Sequence, residues 1–141
     1  SAAGGFYADE EGYLFPLKDN YTSYVIIVDG RIPLSVSSGY KGRCSDDEEA
    51  AWLDDMISMV KYMKKSTVWA DNIVQIHVED NGDLVLIPRE GKEKFIFGKP
   101  GGYKDKFELM SYYYKSIVPA KGENHYSSVN VKFGRQIICK K

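Results

Sequence analysis

Few residues of this chain are of the types that catalyse reactions or bind metals. Its 141 residues include two histidines, His77 and His125, and two cysteines, Cys44 and Cys139. A catalytic histidine needs an orienting carboxylate and a nucleophile, and no serine or cysteine lies in a G-x-S-x-G elbow. Two cysteines alone cannot complete a zinc site, although they could be buried thiols or form one disulfide in an oxidising compartment. We predict no catalytic residue, no metal and no cofactor.

Two local patterns look like ligand sites but have simpler explanations. Residues 46–49 are all acidic, but they lack the spaced oxygens and the glycine of a calcium loop. Negative charge at the start of a helix explains this run. Residues 98–104 are glycine-rich and precede a helix, but they lack the G-x-x-x-x-G-K-[ST] phosphate motif. We expect neither a cation site nor a phosphate site here.

The elements that would position any site begin with short strands. Residues 6–8 and 13–15 are β-prone runs around a glycine-containing turn, which predicts a hairpin. Pro16 ends the second strand of this hairpin or confines it to an edge. Residues 24–28 are rich in β-branched side chains and predict a buried strand, with a turn at residues 29–30.

Two helices are expected, the first over residues 46–65. Ser45 and Glu48 have the spacing of a capping box, and apolar residues then recur every three or four positions. The second helix is expected over residues 103–118, where Pro119 ends it. Its three successive tyrosines, residues 112–114, cannot all face inward because neighbouring side chains lie about 100° apart.

Between and after the helices the pattern is that of strands. Residues 74–78 alternate between apolar and polar side chains, the turn pair at residues 81–82 predicts a hairpin, and residues 84–87 and 95–97 continue the meander. Residues 128–133 and 136–139 predict a closing hairpin. The fold class expected is α+β, in which two main helices pack on one face of a mostly antiparallel sheet and the C-terminal β-hairpin lies at a sheet edge.

Composition limits the function classes further. The chain has 19 basic and 20 acidic residues, a net charge of −1, which argues against a nucleic-acid binder. No apolar stretch approaches the roughly 18 residues of a membrane span. Hydrophobic residues make up 43% of the chain, which excludes intrinsic disorder, and its length fits one domain over residues 1–141. Aromatic residues make up 13%, and the eleven tyrosines among them suit half-wet surfaces and interfaces.

The predicted closing hairpin is the strongest candidate for a binding site. A last strand at a sheet edge exposes unpaired N–H and C=O groups, which template another strand unless they are blocked. Lys132, Arg135, Lys140 and Lys141 could be such blockers. They could equally form the polar rim of a site that accepts a partner strand by main-chain hydrogen bonds. The residues alone leave both alternatives open.

Four stretches of the sequence resemble the extracytoplasmic β domain of the bacterial division protein FtsQ (DivIB in Gram-positives), particularly its Bacteroidetes-type members. Residues 6–17 look like the hairpin after the preceding POTRA domain, and residues 25–30 are similar to the strand and turn that follow. Residues 91–117 look like the family's short strand, glycine and long helix. Residues 128–141 resemble its lysine-rich closing strands, although Asn130, Lys132 and Phe133 stand where many members have Asp, Arg and Tyr.

The resemblance implies a non-enzymatic scaffold of the divisome that supports septum formation. The whole protein would cross the inner membrane once, with a POTRA domain and then this domain on the periplasmic side, so that this chain would be a soluble fragment lacking both the span and the POTRA domain. Its implied partners are the membrane-anchored division proteins FtsB (DivIC-like) and FtsL, bound by strand addition at the C-terminal edge. The implied partner-binding residues are Ser127, Ser128, Val129, Asn130, Val131, Lys132, Phe133, Arg135, Gln136, Ile137 and Ile138.

Two other classes of function are alternatives. The first is a secreted or periplasmic domain that binds a small ligand in a pocket lined by the aromatic residues. The second is an enzyme, for which His77 or His125 would have to lie near a carboxylate in a concave site.

Overall fold

The main sheet of the described residues has six strands, and helical segments connect two pairs of neighbouring strands in it. The structure, a computed structural model, describes residues 6–16, 26–37 and 39–141. Its elements in chain order are β1 Phe6–Ala8, β2 Leu14–Pro16, β3 Ile27–Gly30, α1 Asp47–Lys65, β4 Ile73–Val78, β5 Leu84–Pro88, β6 Lys94–Gly98, α2 Tyr103–Tyr112, a π-helical turn Tyr113–Ile117, α3 Val118–Lys121, β7 Ser128–Asn130 and β8 Ile138–Lys140.

The sheet runs in the order β3-β4-β5-β6-β7-β8, and β1 pairs with β2 in a separate hairpin. The meander β4-β5-β6 and the pair β7-β8 are antiparallel, whereas β3 is parallel to β4 and β6 is parallel to β7. Both parallel pairs arise because a helical segment carries the chain back to the same end of the sheet. The α+β class is confirmed, with the C-terminal strands at a sheet edge.

One face of this sheet carries the core. Alternate side chains of β4, β5, β6 and β7 are fully or almost fully buried against methionines of α1 and against apolar side chains of α2 and the π-helical turn. On the sheet side these are Ile76, Val78, Leu84, Leu86, Phe95, Phe97 and Val129, and on the helix side Met56, Met59, Met63, Phe107, Met110 and Tyr113. The expected arrangement of two main helices on one sheet face is therefore observed.

The start of α1 differs in its capping residue from the sequence prediction. Asp46, rather than Ser45, has the extended backbone of an N-cap, and its Oδ1 accepts a hydrogen bond from the N–H of Glu49 at 3.0 Å. The capping box is wrong by one position because Asp46 already satisfies the free N–H and adds negative charge at the positive end of the helix dipole.

The second helix is longer and less regular than predicted. After Tyr112 the helix widens into a π-helical turn, and α3 continues to Lys121. Pro119 does not end the helix, because it is the second residue of α3, a position near the start of a helix where proline is tolerated. Of the three tyrosines, Tyr112 is 55% exposed and Tyr113 is 1% exposed, while Tyr114 is half-buried.

The third strand differs from the sequence prediction in its end and in its burial. The β1-β2 hairpin is present, and the buried Leu14 ties it to Gly42 through a short bridge. The third strand ends at Gly30, two residues after its predicted end. Asp29 and Gly30 therefore belong to β3 and not to a turn. Ile27 is 62% exposed, because β3 is an outer strand and not a buried one. Residues 24 and 25 of the predicted strand lie outside the described residues.

Candidate functional site

The C-terminal strand β8 forms one margin of the six-stranded sheet. It pairs with β7 through Ser128↔Lys140, Val129↔Cys139 and Asn130↔Ile138. On its other side β8 has no neighbouring strand among residues 6–16, 26–37 and 39–141. A backbone margin of this kind is a template for a further strand.

The hydrogen bonds of β7 determine which backbone groups of this margin are free. The N–H of Lys94 donates to the carbonyl of Ser127 at 3.0 Å, and the N–H of Val131 donates to the carbonyl of Ile96 at 2.9 Å. Because successive residues of a strand turn their backbone groups to opposite sides, Val129 also faces β6, whereas Ser128 and Asn130 face β8. Their partners Lys140 and Ile138 then face inward, and the N–H and C=O of Cys139 point away from the sheet.

The predicted partner-binding residues therefore fall into two groups. The backbone of β7 is enclosed between β6 and β8, and Val129 and Val131 are fully buried, so these residues support the margin from behind. The exposed members of the set are Lys132, Phe133, Arg135, Gln136 and Ile138. Ser127, Ser128, Asn130 and Ile137 are half-buried. The structure brings all eleven predicted residues together around the β7-β8 hairpin, and whether they bind a partner stays a prediction.

Cys139 was not among the eleven predicted site residues, although its N–H and C=O are the backbone groups of β8 that point away from the sheet. No local sequence pattern marks these groups, because their outward direction depends on which of the last two strands lies beside β6. The Cys139 side chain lies opposite the buried Val129 on the helix-packed side of the sheet. Burial raises the pKa of its thiol. Cys139 and Cys44 are both free thiols, so the possible disulfide is not formed.

A tight turn between β7 and β8 presents the largest exposed side chain of the margin. The N–H of Lys132 donates to Asn130 Oδ1 at 3.0 Å, and the N–H of Gly134 donates to the carbonyl of Val131 at 3.0 Å. The Lys132 ammonium lies 5.2 Å from the centre of the Phe133 ring, within range of a cation–π contact. The Phe133 side chain is nevertheless 56% exposed, as expected of a contact residue and not of a core residue.

The charge of this region is of one sign. Lys132, Arg135, Lys140 and Lys141 are exposed, and none of them pairs with a carboxylate in the part of the chain that the structure describes. The positive charge therefore remains available to attract an acidic segment of another molecule and to repel a basic one.

A polar cluster lies beneath the margin. The Tyr114 hydroxyl donates to Glu93 Oε1 at 2.9 Å, and Glu93 is only 5% exposed. Burial of the phenol, with the nearby Glu93, raises the pKa of Tyr113 to about 12 and also raises that of Tyr114. The hydrogen bond to Glu93 holds the Tyr114 phenol in its neutral form, so the cluster supports β6 and the helix behind it.

The buried phenols predict a loss of stability in strong alkali. Tyr113 has a pKa of about 12 in the fold against 10.0 ordinarily, so its contribution is complete below pH 10 and is lost as the pH rises through 12. We expect Tyr113 to account for a fall of about 2–3 kcal/mol in the free energy of unfolding over this range, and Tyr114, whose pKa is also raised, adds to the fall. Urea titrations at pH 9, 10, 11 and 12 measure the free energy of unfolding and its slope with pH. Tyr113→Phe should reduce the slope of unfolding free energy against pH, whereas Tyr112→Phe, at an exposed side chain, should leave this slope unchanged. An unchanged slope in Tyr113→Phe would contradict the raised pKa of Tyr113.

Among the described residues, His77 is the histidine that lies beside a carboxylate. Its Nδ1 lies 2.8 Å from Asp29 Oδ1, and Gln75 Nε2 donates to Asp29 Oδ2 at 2.5 Å, so β3 and β4 are joined by a polar bridge. The site lies beside an open groove lined in part by Gly30, Arg31 and His77. No described hydroxyl or thiol hydrogen-bonds to the other ring nitrogen of His77, so an orienting carboxylate is present without a nucleophile.

Other ligand chemistry finds little support in the described residues. No group of three or more histidine, cysteine or acidic side chains among them could hold a metal ion. The buried aromatic rings pack in pairs within the core, Phe95 with Tyr113 at 5.8 Å and Phe97 with Phe107 at 5.1 Å between centres. None of the described helices has both the length and the hydrophobicity needed to cross a membrane.

Comparison with known proteins identifies the family. No curated protein matches the chain. The model of the family described as FtsQ/DivIB, C-terminal related, matches residues 1–140, which is nearly the whole sequence. The FtsQ/DivIB family consists of non-catalytic, membrane-anchored cell-division proteins. This chain, with its helices on one sheet face and its C-terminal strands at a sheet edge, belongs to the FtsQ/DivIB C-terminal related family and is a cell-division protein domain.

Proposed function

We propose that this domain is a scaffold that binds a membrane-anchored division protein of the FtsB/DivIC or FtsL type by accepting a strand of that partner at β8. The observation that carries the proposal is the open side of β8, which has no described strand beside it. The alternation of the strand directs the N–H and C=O of Cys139 toward this side. A partner strand that forms hydrogen bonds with these backbone groups gains affinity from them and needs no pocket.

Side chains around β8 would give the contact its selectivity. Ile138 is 37% exposed and lies opposite Asn130, which in turn lies opposite Ile96 on the sheet face away from the core. Phe133 extends from the adjoining turn. A partner strand with apolar side chains toward Ile138 and Phe133 and acidic side chains toward the lysines would match this surface.

The setting of this contact in the cell follows from the same proposal. We place the domain on the periplasmic side of the inner membrane, in a parent protein that is anchored by a single span and supports septum formation. Each main-chain bond contributes about 1 kcal/mol net, so the two bonds that the N–H and C=O of Cys139 can make give only modest affinity. Anchoring both proteins in one membrane raises their effective concentration and compensates for weak pairing.

Amide hydrogen exchange tests strand addition directly. The probe is the extracytoplasmic part of the DivIC-like or FtsL protein from the same genome, added to this domain. In the free domain the outward N–H of Cys139 should exchange faster than the inward N–H of Ile138, because only the latter bonds to β7. Binding should slow exchange at Cys139 by at least about tenfold, the equivalent of one main-chain bond of about 1.4 kcal/mol.

The inward amides serve as internal controls for this measurement. Ile138 and Lys140 should change little, because their N–H groups face β7 before and after the partner binds. A complex that forms while the Cys139 exchange rate stays at its free value contradicts strand addition at β8. A domain that binds none of the division proteins at concentrations up to about 1 mM contradicts the scaffold function, since membrane tethering supplies effective concentrations of that order.

A further inference from the structure

Gly98, at the end of β6, lies against the backbone of the turn that carries Phe133. Its φ is +76°, a left-handed backbone that favours glycine. A Cβ placed on Gly98 would come within 2.7 Å of Lys132 Cβ, 3.5 Å of Lys132 Cα and 3.7 Å of its carbonyl oxygen. Real Cβ contacts are not this short, so any side chain at position 98 must displace Lys132.

The end of β6 is itself held in place from the helix side. Lys106 of α2 is only 6% exposed, and its Nζ donates to the carbonyl of Lys99 at 2.7 Å. The same ammonium lies 5.1 Å from the centre of the Phe97 ring. The peptide that follows Gly98 is therefore attached to α2, so a clash at Gly98 is relieved most easily by movement of the turn and not of β6.

In the part of the chain that the structure describes, the backbone hydrogen bonds of this turn lie mostly within the hairpin. Its local hydrogen bonds run from Lys132 to Asn130 and from Gly134 to Val131, all within the hairpin, so they fix its shape but not its position against the sheet. Val131 joins it to β6 through Ile96. One residue after Val131, Lys132 lies against Gly98 at the end of β6.

We propose that Gly98 is a positioning residue for the partner-binding margin: the absence of a side chain there lets the turn rest on the end of β6 and sets where Lys132 and Phe133 lie beside β8. This inference rests on the proposed function for its effect on binding. It concerns no direct contact between Gly98 and the partner, because Gly98 is buried.

The test places alanine at Gly98 in the wild-type domain and in two variant backgrounds that differ from each other by one carbon atom. Lys132→Gly removes the Cβ with which a side chain at 98 collides, whereas Lys132→Ala keeps it. We expect Gly98→Ala to weaken binding of the DivIC-like or FtsL extracytoplasmic segment about tenfold in the wild-type and Lys132→Ala backgrounds, and by less than about twofold in the Lys132→Gly background. The amide NMR signals of Phe133 and Gly134 in the free domain should move in the first two cases only.

Gly102→Ala is the matched control for backbone strain. Gly102 has φ +67°, close to that of Gly98, but no atom lies within 4 Å of where its Cβ would be. This variant carries a similar strain without the collision, so it should leave the Phe133 and Gly134 signals and the affinity unchanged. The proposal is overturned if Gly98→Ala has equal effects in the Lys132→Gly and Lys132→Ala backgrounds. It is also overturned if Gly102→Ala moves the amide signals of Phe133 and Gly134 as Gly98→Ala does.

Folding and binding failures give different results in this design. If Gly98→Ala does not fold, restored folding in the Lys132→Gly background alone supports the collision, and unfolding in both backgrounds overturns it. If the wild-type domain binds no division protein, the proposed function fails, while the NMR signals of the turn still decide whether Gly98 positions it.

Discussion

Replacing Cys139 by proline is expected to weaken partner binding at least about tenfold while the domain remains folded. Proline removes the outward N–H and places a ring where a partner strand must approach to about 4.8 Å. One lost main-chain bond is worth about 1 kcal/mol, and the ring obstructs its neighbours as well, so about tenfold is a lower bound. An outer strand tolerates proline when the lost N–H makes no internal bond, which is the case at Cys139.

Cys139→Ala separates the backbone effect from the loss of the thiol. Alanine removes the sulfur but keeps the N–H, so we expect near wild-type binding. Titration calorimetry with the division-protein segment gives both affinities, and circular dichroism with a thermal melt checks that each variant folds. Proline at Val131 would be a poor substitute, because the Val131 N–H bonds to Ile96 inside the sheet. Equal affinities for Cys139→Pro and Cys139→Ala would contradict pairing at this position.

Phe95→Ala should lower the free energy of unfolding by about 3–5 kcal/mol. Phe95 is fully buried in β6, and its ring meets Tyr113 and Tyr114 edge-on at 5.8 and 5.7 Å between centres. Alanine would leave a cavity between the sheet and the π-helical turn and would remove both ring contacts. Domains of this size have about 5–15 kcal/mol of stability in all, so the loss is a large fraction of it.

Phe133→Ala is the matched control, since it makes the same change at a side chain that is 56% exposed. It should alter the free energy of unfolding by less than about 1 kcal/mol. Urea unfolding followed by the fluorescence of the buried Trp69 measures both variants. A loss below about 1 kcal/mol for Phe95→Ala would show that the core does not depend on this ring in the way its packing indicates.

The fold class and most elements were predictable because their signals are local. Apolar spacing gave the first helix to within one residue, and alternation with the turn at residues 81–82 gave the central meander. The parallel pairings of β3 with β4 and of β6 with β7 were not predicted, because the direction of a distant pair depends on the helix between the strands and not on either strand's own sequence.

The candidate site was predicted as a region more accurately than as a set of backbone groups. The sequence pointed to the closing hairpin, but the choice between its two strands depends on which one lies beside β6. That choice is made by the bonds of Ser127 and Val131 across the sheet, which no local pattern encodes. The π-helical turn escaped prediction for a related reason: it lets Tyr113 be buried and Tyr114 bond to Glu93, an arrangement that only the packed structure reveals.

The short ladder between β7 and β8 sets a mechanical limit on whatever is fastened to the outer strand. That strand is tied to the sheet through three residue pairs. Suppose that a partner chain pairs with β8 over more than three residues. Tension perpendicular to the strands would then separate β8 from β7 before the partner chain separates from β8. A pull along the strand loads all three pairs at once and meets more resistance, so the direction of the pull decides how much force the junction withstands.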